Sequence, residues 1–228
     1  MTGSTCRTRT LVTIITTEFN HYLFPKDVMT LDTRPLGRRE RNKLDKLERI
    51  TAAAGELFAE RGVDDVTTQE IADRADIGTG TLFLYAKTKG ELLLLVQNSM
   101  YAEALERGRA DAEKAEGLLD GLLAVVRPVV ECNRKQVDNG RTYLREIVFG
   151  DPEEPHHREA LGLTDQTEEL MADVIARGDA TSRDEARALA HIVSAVMFLT
   201  MSATLNIHHS VDEIIDEITA QIRLVLPH

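Results

Sequence analysis

The segment Ile77–Leu92, IGTGTLFLYAKTKGEL, combines glycine and threonine in a spacing that suits contact with a nucleic acid. Gly78 and Gly80 lack a side chain, so the backbone there can approach a phosphate or a base edge closely. Thr79 and Thr81 each supply a hydroxyl for hydrogen bonding and a methyl group for contact with thymine. If the segment forms a short helix, its first turn is predicted to read base edges.

The rest of the segment adds aromatic and basic residues. Phe83 lies one helical turn beyond Thr79, so the two side chains are predicted to share an exposed face. Tyr85 and Lys89 lie where the end of this helix and the start of the next would meet backbone phosphates. Lys87 adds charge that would strengthen binding to any duplex. Because no charged residue precedes Lys87 in the helix, base reading is predicted to use hydroxyl and apolar contacts.

Three polar residues just upstream extend this candidate surface. Thr67 and Thr68 bring hydroxyls and free N–H groups to a helix N-terminus, which is a favourable place for a phosphate. Gln69 can form a bidentate pair with adenine. Each residue taken alone is more simply explained as a turn, a cap or a solvated position. The prediction therefore depends on their joint arrangement.

Two short helices joined by a turn are predicted to position these residues. Residues 68–75 form the first helix, residues 75–78 the turn and residues 79–85 the second helix. This is the helix-turn-helix pattern, in which the second helix enters the major groove with its N-terminal residues first. The side chains predicted to hold the pair together are Ile71, Ala75, Ile77 and Leu82.

The remaining pattern is helical, and we predict an all-α fold. Before the helix-turn-helix, apolar residues recur at three- and four-residue steps from Leu44 to Phe58, and Gly62 follows as a C-cap. Pairs of Ser or Thr with Glu three residues later predict capping boxes at helix starts. These pairs are Thr67/Glu70, Thr88/Glu91, Ser182/Glu185 and Ser210/Glu213. Further helices are predicted at 89–113, 118–138 with a kink at Pro128, 141–149, 165–177, 183–206 and 211–226, and a loop at 150–157.

Charge is unevenly placed along the 228 residues, whose net charge is −11. Residues 1–92 hold 14 basic and 14 acidic side chains, whereas residues 93–228 hold 13 basic and 24 acidic ones. A polyanion can therefore bind only at a focused patch in the N-terminal part. The two cysteines, Cys6 and Cys132, predict no disulfide framework, which suits a reducing cytoplasm. No apolar run is long enough to predict a membrane span.

Residues 1–37 differ from the rest and are predicted to be a disordered extension. Met29 is an alternative natural start within it. The basic stretch after it contains Arg38, Arg39 and Arg41, which either enter a minor groove or remain solvated, with loose phosphate contact preferred.

Residues 42–92 resemble the DNA-binding domain of the TetR/AcrR family of transcriptional regulators. The similarity lies in AAGELFAERG, TTQEIA and GTLFLYAKTK, and it covers about a quarter of the chain. Departures are Phe83 where tyrosine is usual, Gly78 where serine is frequent, and Asp76 where glycine is common in the turn. The resemblance implies that the DNA-contacting positions are Thr67, Thr68, Gln69, Thr79, Gly80, Thr81, Phe83, Leu84, Tyr85 and Lys89.

The resemblance also implies a C-terminal helical domain that binds a small-molecule effector and dimerises. The expected domains are an extension at 1–37, the helix-turn-helix domain at 38–88 and the effector and dimerisation domain at 89–228. Candidate pocket residues are Tyr101, Val129, Cys132, Tyr143, Ile147, Met171 and Phe198. Two apolar stripes on the last helices give the candidate dimer interface, Ala190, Val193, Met197, Ile214, Ile218 and Ile222. The alternative for these stripes is a core within one chain.

The sequence therefore predicts a cytoplasmic, homodimeric regulator of transcription. We expect a repressor that leaves a palindromic double-stranded operator when it binds its effector. No catalytic residue, metal ligand set or cofactor is assigned, because the sequence has no nucleophile elbow, phosphate loop or metal-binding pair. The competing hypothesis is a helical protein-interaction module that does not read DNA.

Overall fold

The computed structural model describes residues 37–177 and 181–226. Within those ranges the chain is helical and contains no strand, as predicted. The expectations for residues 1–36, including Cys6 and the alternative start at Met29, lie outside the described residues. The helices are α1 (Arg38–Arg61), α2 (Thr68–Arg74), α3 (Thr79–Leu82), α4 (Lys89–Ala112), α5 (Leu118–Arg134), α6 (Val137–Phe149), α7 (Pro155–Ile175), α8 (Arg183–Ser202), a 3₁₀ turn (Thr204–Asn206) and α9 (Val211–Ile222).

The chain divides into two units, residues 1–43 and 44–228. The described part of the first unit is the exposed start of α1, which includes Arg38, Arg39 and Arg41. There the Gly37 amide donates to the Glu40 carboxylate at 3.1 Å. All of the packing described below lies within the second unit.

Capping side chains set the helix starts. Thr67, Ser182 and Ser210 each form the complete box, in which the glutamate three residues later also accepts from the backbone of the cap. Thr88 accepts from the Glu91 amide, but the Glu91 carboxylate accepts from the Lys87 amide instead, at 2.6 Å. The boxes are therefore confirmed at three positions and shifted by one residue at the fourth.

The predicted loop at 150–157 is wrong in its second half. The helix α7 begins at Pro155 and runs to Ile175, ten residues earlier than the predicted start at 165. Proline suits the first helical position because its missing N–H would have no partner there. Glu154 caps this end, since its carboxylate accepts from the His157 amide at 2.7 Å. A run of acidic residues and prolines therefore encoded a helix start rather than a loop.

The connecting helix α4 is buried all round in its first half. Every residue from Leu92 to Asn98 is buried, because α5, α6 and α7 all pack against this helix. Near the same turn, a Cβ on Gly55 of α1 would lie 3.5 Å from the Val96 side chain, which is an ordinary contact. Thus α4 is fixed by neighbours on several sides.

The six residues predicted to form the dimer interface lie elsewhere than expected. Each is at most 4% exposed within a single chain, in a core formed mainly by α5, α7, α8 and α9. Side chains this deeply buried in a single chain present almost no surface to a partner, which is what the alternative of an intrachain core predicts. The residues concerned are Ala190, Val193, Met197, Ile214, Ile218 and Ile222. The helical period identified the apolar faces correctly, but not what covers them.

Among the described residues no helix has the length and apolar character needed to cross a membrane. His191 is three-quarters exposed and lies 3.1 Å from the Glu168 carboxylate of α7.

Candidate DNA-binding surface

A left-handed residue shapes the turn between α2 and α3. Asp76 has a φ of 52°, a conformation that aspartate tolerates better than most residues. The chain then reverses, and the Ile77 amide donates to the Ala72 carbonyl at 3.0 Å. Ile71 and Leu82 are fully buried and hold the two helices together. The predicted helix-turn-helix geometry is present.

The helix α3 is shorter than predicted, and its uncharged first turn is partly exposed: Gly80 is exposed, and Thr79 and Thr81 are half-buried. Regular helix ends at Leu82, and turns continue it to Ala86, whose amide donates to the Leu82 carbonyl at 3.2 Å. No atom lies within 4 Å of a Cβ built on Gly78 or Gly80. Phe83 is 45% and Leu84 82% exposed. The fold thus leaves this surface free for contact from outside.

Two of the predicted base-reading side chains are hydrogen-bonded to each other. The Thr79 hydroxyl donates to Gln69 Oε1 at 2.6 Å, and Gln69 Nε2 donates to the Asp73 carboxylate at 2.7 Å. All three groups are exposed, so these bonds can exchange for bonds to a base at little cost. The arrangement brings α2 and α3 side chains to one place, as the sequence predicted.

The start of α2 is less open to a phosphate than predicted. The Thr67 hydroxyl and amide both donate to the Glu70 carboxylate at 2.8 Å. These bonds to Thr67, together with a bond from Arg61, lower the pKa of Glu70 to about 2. An ionised carboxylate therefore already occupies this N-terminus. Thr68, half-buried beside it, contributes the first residue of the helix.

The two lysines after α3 have different surroundings. Lys89 is half-buried, and its ammonium group donates to the carbonyls of Val63 and Asp64 at 2.9 and 3.0 Å. Lys87 is exposed. Lys89 therefore ties the start of α4 to the segment after α1, whereas Lys87 is better placed to meet a phosphate.

Sequence reasoning missed the residues that hold this region from behind. The Asn139 side chain of α6 accepts from the Val63 amide and donates to the Phe58 carbonyl, both at 2.7 Å. His156 of α7 lies 3.1 Å from the carbonyl of Tyr85, through Nε2. The available signal was weak, because each is one polar residue on an otherwise apolar helical face.

The predicted effector-pocket residues separate into two groups. Tyr101 and Tyr143 have ring centroids 6.3 Å apart, and both pKa values are raised by burial, that of Tyr101 to about 12. Cys132 adds a smaller upward shift to the pKa of both tyrosines, and burial raises the pKa of its own thiol to about 11. Such a thiol is a poor nucleophile. These three residues form what we call the tyrosine cluster.

The other candidate residues adjoin that cluster, because Tyr101 packs against the same C-terminal core that contains two of them. Val129 and Met171 are at most 2% exposed in the C-terminal core, and Phe198 packs at its edge. Ile147 is half-buried, and its carbonyl lies 3.0 Å from Nε2 of His157. Of the seven candidate residues, Tyr101, Cys132 and Tyr143 are the three that carry a hydroxyl or thiol group.

Comparisons with known proteins agree with this geometry. Residues 50–96 match the family model described as bacterial regulatory proteins, tetR family. The crystal structure of Thermus thermophilus FadR, a TetR-family transcriptional repressor in complex with lauroyl-CoA, is 23% identical with a TM-score of 0.63, covering 78% of this chain and 92% of that chain. No match was found among curated proteins.

Two further solved structures share the fold. A TetR transcriptional regulator from Rhodococcus sp. RHA1 is 19% identical with a TM-score of 0.62, covering 81% of this chain and 97% of that chain. A TetR/AcrR-family regulator from Thermobifida fusca YX-ER1 is 24% identical with a TM-score of 0.59, covering 78% of this chain and 96% of that chain. The similarity therefore extends through the C-terminal helices as well as the helix-turn-helix.

Proposed function

We infer the function of this chain from the family to which it belongs, the TetR/AcrR transcriptional regulators. We propose that it is a homodimeric repressor that binds a palindromic DNA operator and releases it when a small-molecule effector binds. The domains we propose are the N-terminal extension at 1–37, the DNA-binding domain at 38–88 and the effector and dimerisation domain at 89–228. As a regulator of bacterial genes, it would act in the cytoplasm.

The observation that carries the DNA-binding proposal is the unused first turn of α3. No neighbouring residue packs against Gly80, since a Cβ built there would meet nothing within 4 Å. Leu84, just after α3, is 82% exposed. Two adjacent exposed apolar side chains just after a short helix, Phe83 and Leu84, are consistent with a contact surface for another molecule. Contact of Thr79, Thr81 and Phe83 with base edges would use that surface.

The dimer face that we propose is the exposed side of α8. Residues at helical spacing on that side are apolar or small, and they lie opposite the buried stripe assigned from sequence. They are Ala188, Ile192, Ala195 and Leu199, with Ile192 41% and Leu199 67% exposed. Leu224, just after α9, is 86% exposed and adds to the apolar surface at the C-terminal end. Two such faces related by a twofold axis would form an isologous helical interface.

An effector site is proposed at the tyrosine cluster. A buried hydroxyl on Tyr143 and a half-buried hydroxyl and thiol on Tyr101 and Cys132 resemble the few polar groups that fix a ligand in a largely apolar pocket. The lauroyl-CoA complex of the Thermus FadR is an example of a small molecule bound to a protein of this fold. Effector binding would lower operator affinity by favouring a state in which the two recognition helices no longer fit the half-site spacing.

Selection from a random duplex pool tests the DNA-binding proposal. We expect the wild-type protein to enrich a palindrome and to bind it with a strong dependence on salt. Thr79→Ala should reduce the preference for that palindrome over unrelated duplexes, because it removes a hydroxyl and a methyl from the reading surface. Enrichment of no sequence, with salt-insensitive binding, would favour the protein-interaction module instead.

Sedimentation of two α8 variants tests the dimer face. Leu199→Glu should give a folded monomer, because Leu199 is exposed in the single chain. Val193→Glu should unfold the protein instead, because Val193 is fully buried in the single chain. A Leu199→Glu protein that remains a dimer would reject this face.

A further inference from the structure

A side chain of α7 contacts the backbone of the segment that follows α3. Nε2 of His156 lies 3.1 Å from the carbonyl oxygen of Tyr85. A carbonyl can only accept a hydrogen bond, so Nε2 must carry a proton. The His156 side chain is 8% exposed. A buried group from α7 therefore fixes the position at which the chain leaves α3 for α4.

The other ring nitrogen faces a carboxylate. His156 Nδ1 lies 3.9 Å from Glu159 Oε2, one turn further along α7, which is an ion-pair distance rather than a hydrogen bond. If the imidazole is neutral with its proton on Nε2, the Nδ1 lone pair faces that carboxylate. If it is doubly protonated, both nitrogens have suitable partners. The geometry thus favours the charged form of His156.

The carboxylate is itself positioned by α4 and α6. Asn98 Nδ2 donates to Glu159 Oε2 at 3.0 Å and to the His156 carbonyl at 2.8 Å. Asn98 Oδ1 accepts from the Tyr143 hydroxyl at 2.9 Å. The network therefore runs from the tyrosine cluster through Asn98 and Glu159 to His156 and then to the Tyr85 carbonyl.

The groups that act on the imidazole explain its charge. Burial lowers the pKa of His156, but Glu159, the Tyr85 carbonyl and Glu154 outweigh burial and raise it above its ordinary value. From the segment after α3 the imidazole faces the neutral Tyr85 carbonyl. The α4 side chain in this network, Asn98, is also neutral and binds the His156 backbone carbonyl and Glu159. The carboxylates are those of Glu154 and Glu159, both next to or within α7.

We propose that His156 is a positioning residue for DNA recognition, whose protonated imidazole bridges the Tyr85 carbonyl and Glu159 and thereby holds α3 in its DNA-binding orientation. This inference rests on the proposed DNA-binding function and adds a dependence on pH to it. As pH rises through the pKa of His156, the proton on Nδ1 is lost, the bridge weakens and operator affinity falls. A single linked proton permits at most about a tenfold fall per pH unit above that pKa.

The test is operator affinity measured from pH about 6 to about 8.5, the range in which histidine titrates. The duplex is the one selected from the random pool. His156→Gln keeps an N–H donor for the Tyr85 carbonyl but does not titrate in this range. The matched control is His191→Gln, which removes an exposed histidine that is also paired with a carboxylate, Glu168. Thermal unfolding and sedimentation establish that each variant is folded and dimeric.

We expect the affinity of the wild type and of His191→Gln to fall by about tenfold across this range, and that of His156→Gln to stay level. A fall in His156→Gln equal to that of the wild type would overturn the inference. So would a level profile in the wild type. Either result leaves the proposed function standing, whereas failure of the wild type to prefer any duplex at any pH would reject the function itself.

A second variant serves if His156→Gln does not fold. Glu159→Gln removes the charge that faces Nδ1 but keeps an oxygen for Asn98. We expect it to shift the affinity profile towards lower pH, together with the imidazole titration of His156 followed by NMR. A profile and a titration that coincide with those of the wild type would contradict the bridge.

Discussion

Glycines in two parts of the molecule have opposite surroundings. A Cβ on Gly80, in α3, would meet no atom within 4 Å, whereas a Cβ on Gly140, in α6, would collide with the Asn133 carbonyl oxygen. Gly140 is glycine because the fold needs the space. Gly80 is glycine although the fold does not need it. A position that folding leaves unexplained points to an external ligand, and in α3 that ligand is proposed to be DNA.

The same contrast holds for polar side chains. Thr79 and Gln69 bond to each other at an exposed site, and those bonds can be exchanged for others. Asn139 and Asn98 each bridge two helices or segments from buried positions, where an unmet donor or acceptor costs about 1–3 kcal/mol. Thr79 and Gln69 can therefore form new bonds to an external ligand, whereas Asn139 and Asn98 hold the helices behind them in place.

The largest expected effect is on stability and comes from Gly140→Ala. Because the nearest obstacle is backbone rather than a flexible side chain, α5 or α6 must shift, and we expect a loss of about 3 kcal/mol in the free energy of unfolding. Chemical denaturation measures it. Gly55→Ala is the matched control, since its Cβ would make an ordinary 3.5 Å contact and alanine favours a helix interior by about 1 kcal/mol. Equal stability of Gly140→Ala and Gly55→Ala would contradict the close packing inferred around Gly140.

Gly80→Ala should separate recognition from folding. The added methyl group enters open space in the free protein, so the free energy of unfolding should stay level or rise by up to about 1 kcal/mol. In the complex the methyl would stand between backbone and DNA, and we expect operator affinity to fall by about tenfold, or about 1.4 kcal/mol. Binding titration against the selected palindrome measures it. Unchanged affinity would mean that DNA does not approach Gly80.

The sequence predicted the helix-turn-helix because its determinants are local. The box at Thr67, the left-handed residue Asp76 and the spacing of Ile71 and Leu82 lie within sixteen residues of one another, and each works by a rule that needs no distant partner. The structure confirms them. Gly62, predicted as a C-cap, likewise has a φ of 81°.

What depended on distant partners could not be predicted. The periodicity of Val193 and Met197 showed an apolar stripe, but a stripe covered by the same chain and one covered by a second chain look identical in sequence. Lys89 looked like a phosphate ligand because the carbonyls that it binds are 25 and 26 residues away. His156 was placed in a loop, since neither the start of α7 nor the approach of Tyr85 is encoded nearby.

Replacing the two lysines one at a time sharpens the comparison within the binding surface. Lys89→Ala leaves the Val63 and Asp64 carbonyls without their charged donor, and because Lys89 is half-buried we expect a loss of about 1 kcal/mol in unfolding free energy. Lys87→Ala should leave stability unchanged but weaken binding to all duplexes and reduce the salt slope by about one. Denaturation and salt titration measure the two effects. If Lys89→Ala weakened binding to all duplexes without a loss of stability, Lys89 would again be assigned to the phosphate-contacting residues.

The smallest expected effect is on stability at low pH. It concerns the capping box, which occurs both at the start of α2 in the helix-turn-helix and at the start of α8 in the C-terminal helices. Bonds from Thr67, followed by the bond from Arg61, lower the pKa of Glu70 to about 2. Ser182 alone lowers the pKa of Glu185 on α8. A carboxyl with a lowered pKa stabilises the fold above its ordinary pKa, and this contribution disappears as pH falls through the folded value.

The stability gap between wild type and Glu70→Gln should therefore be complete above pH about 4.5 and close as pH falls towards about 2. The gap for Glu185→Gln should close at a higher pH, because Glu185 lacks the contribution of Arg61. Urea denaturation across this pH range measures both gaps. If both close at the same pH, Arg61 adds nothing to the box at α2. Helix starts in the two regions would then be equivalent, and the difference between the regions would lie only in what the first turns present to solvent.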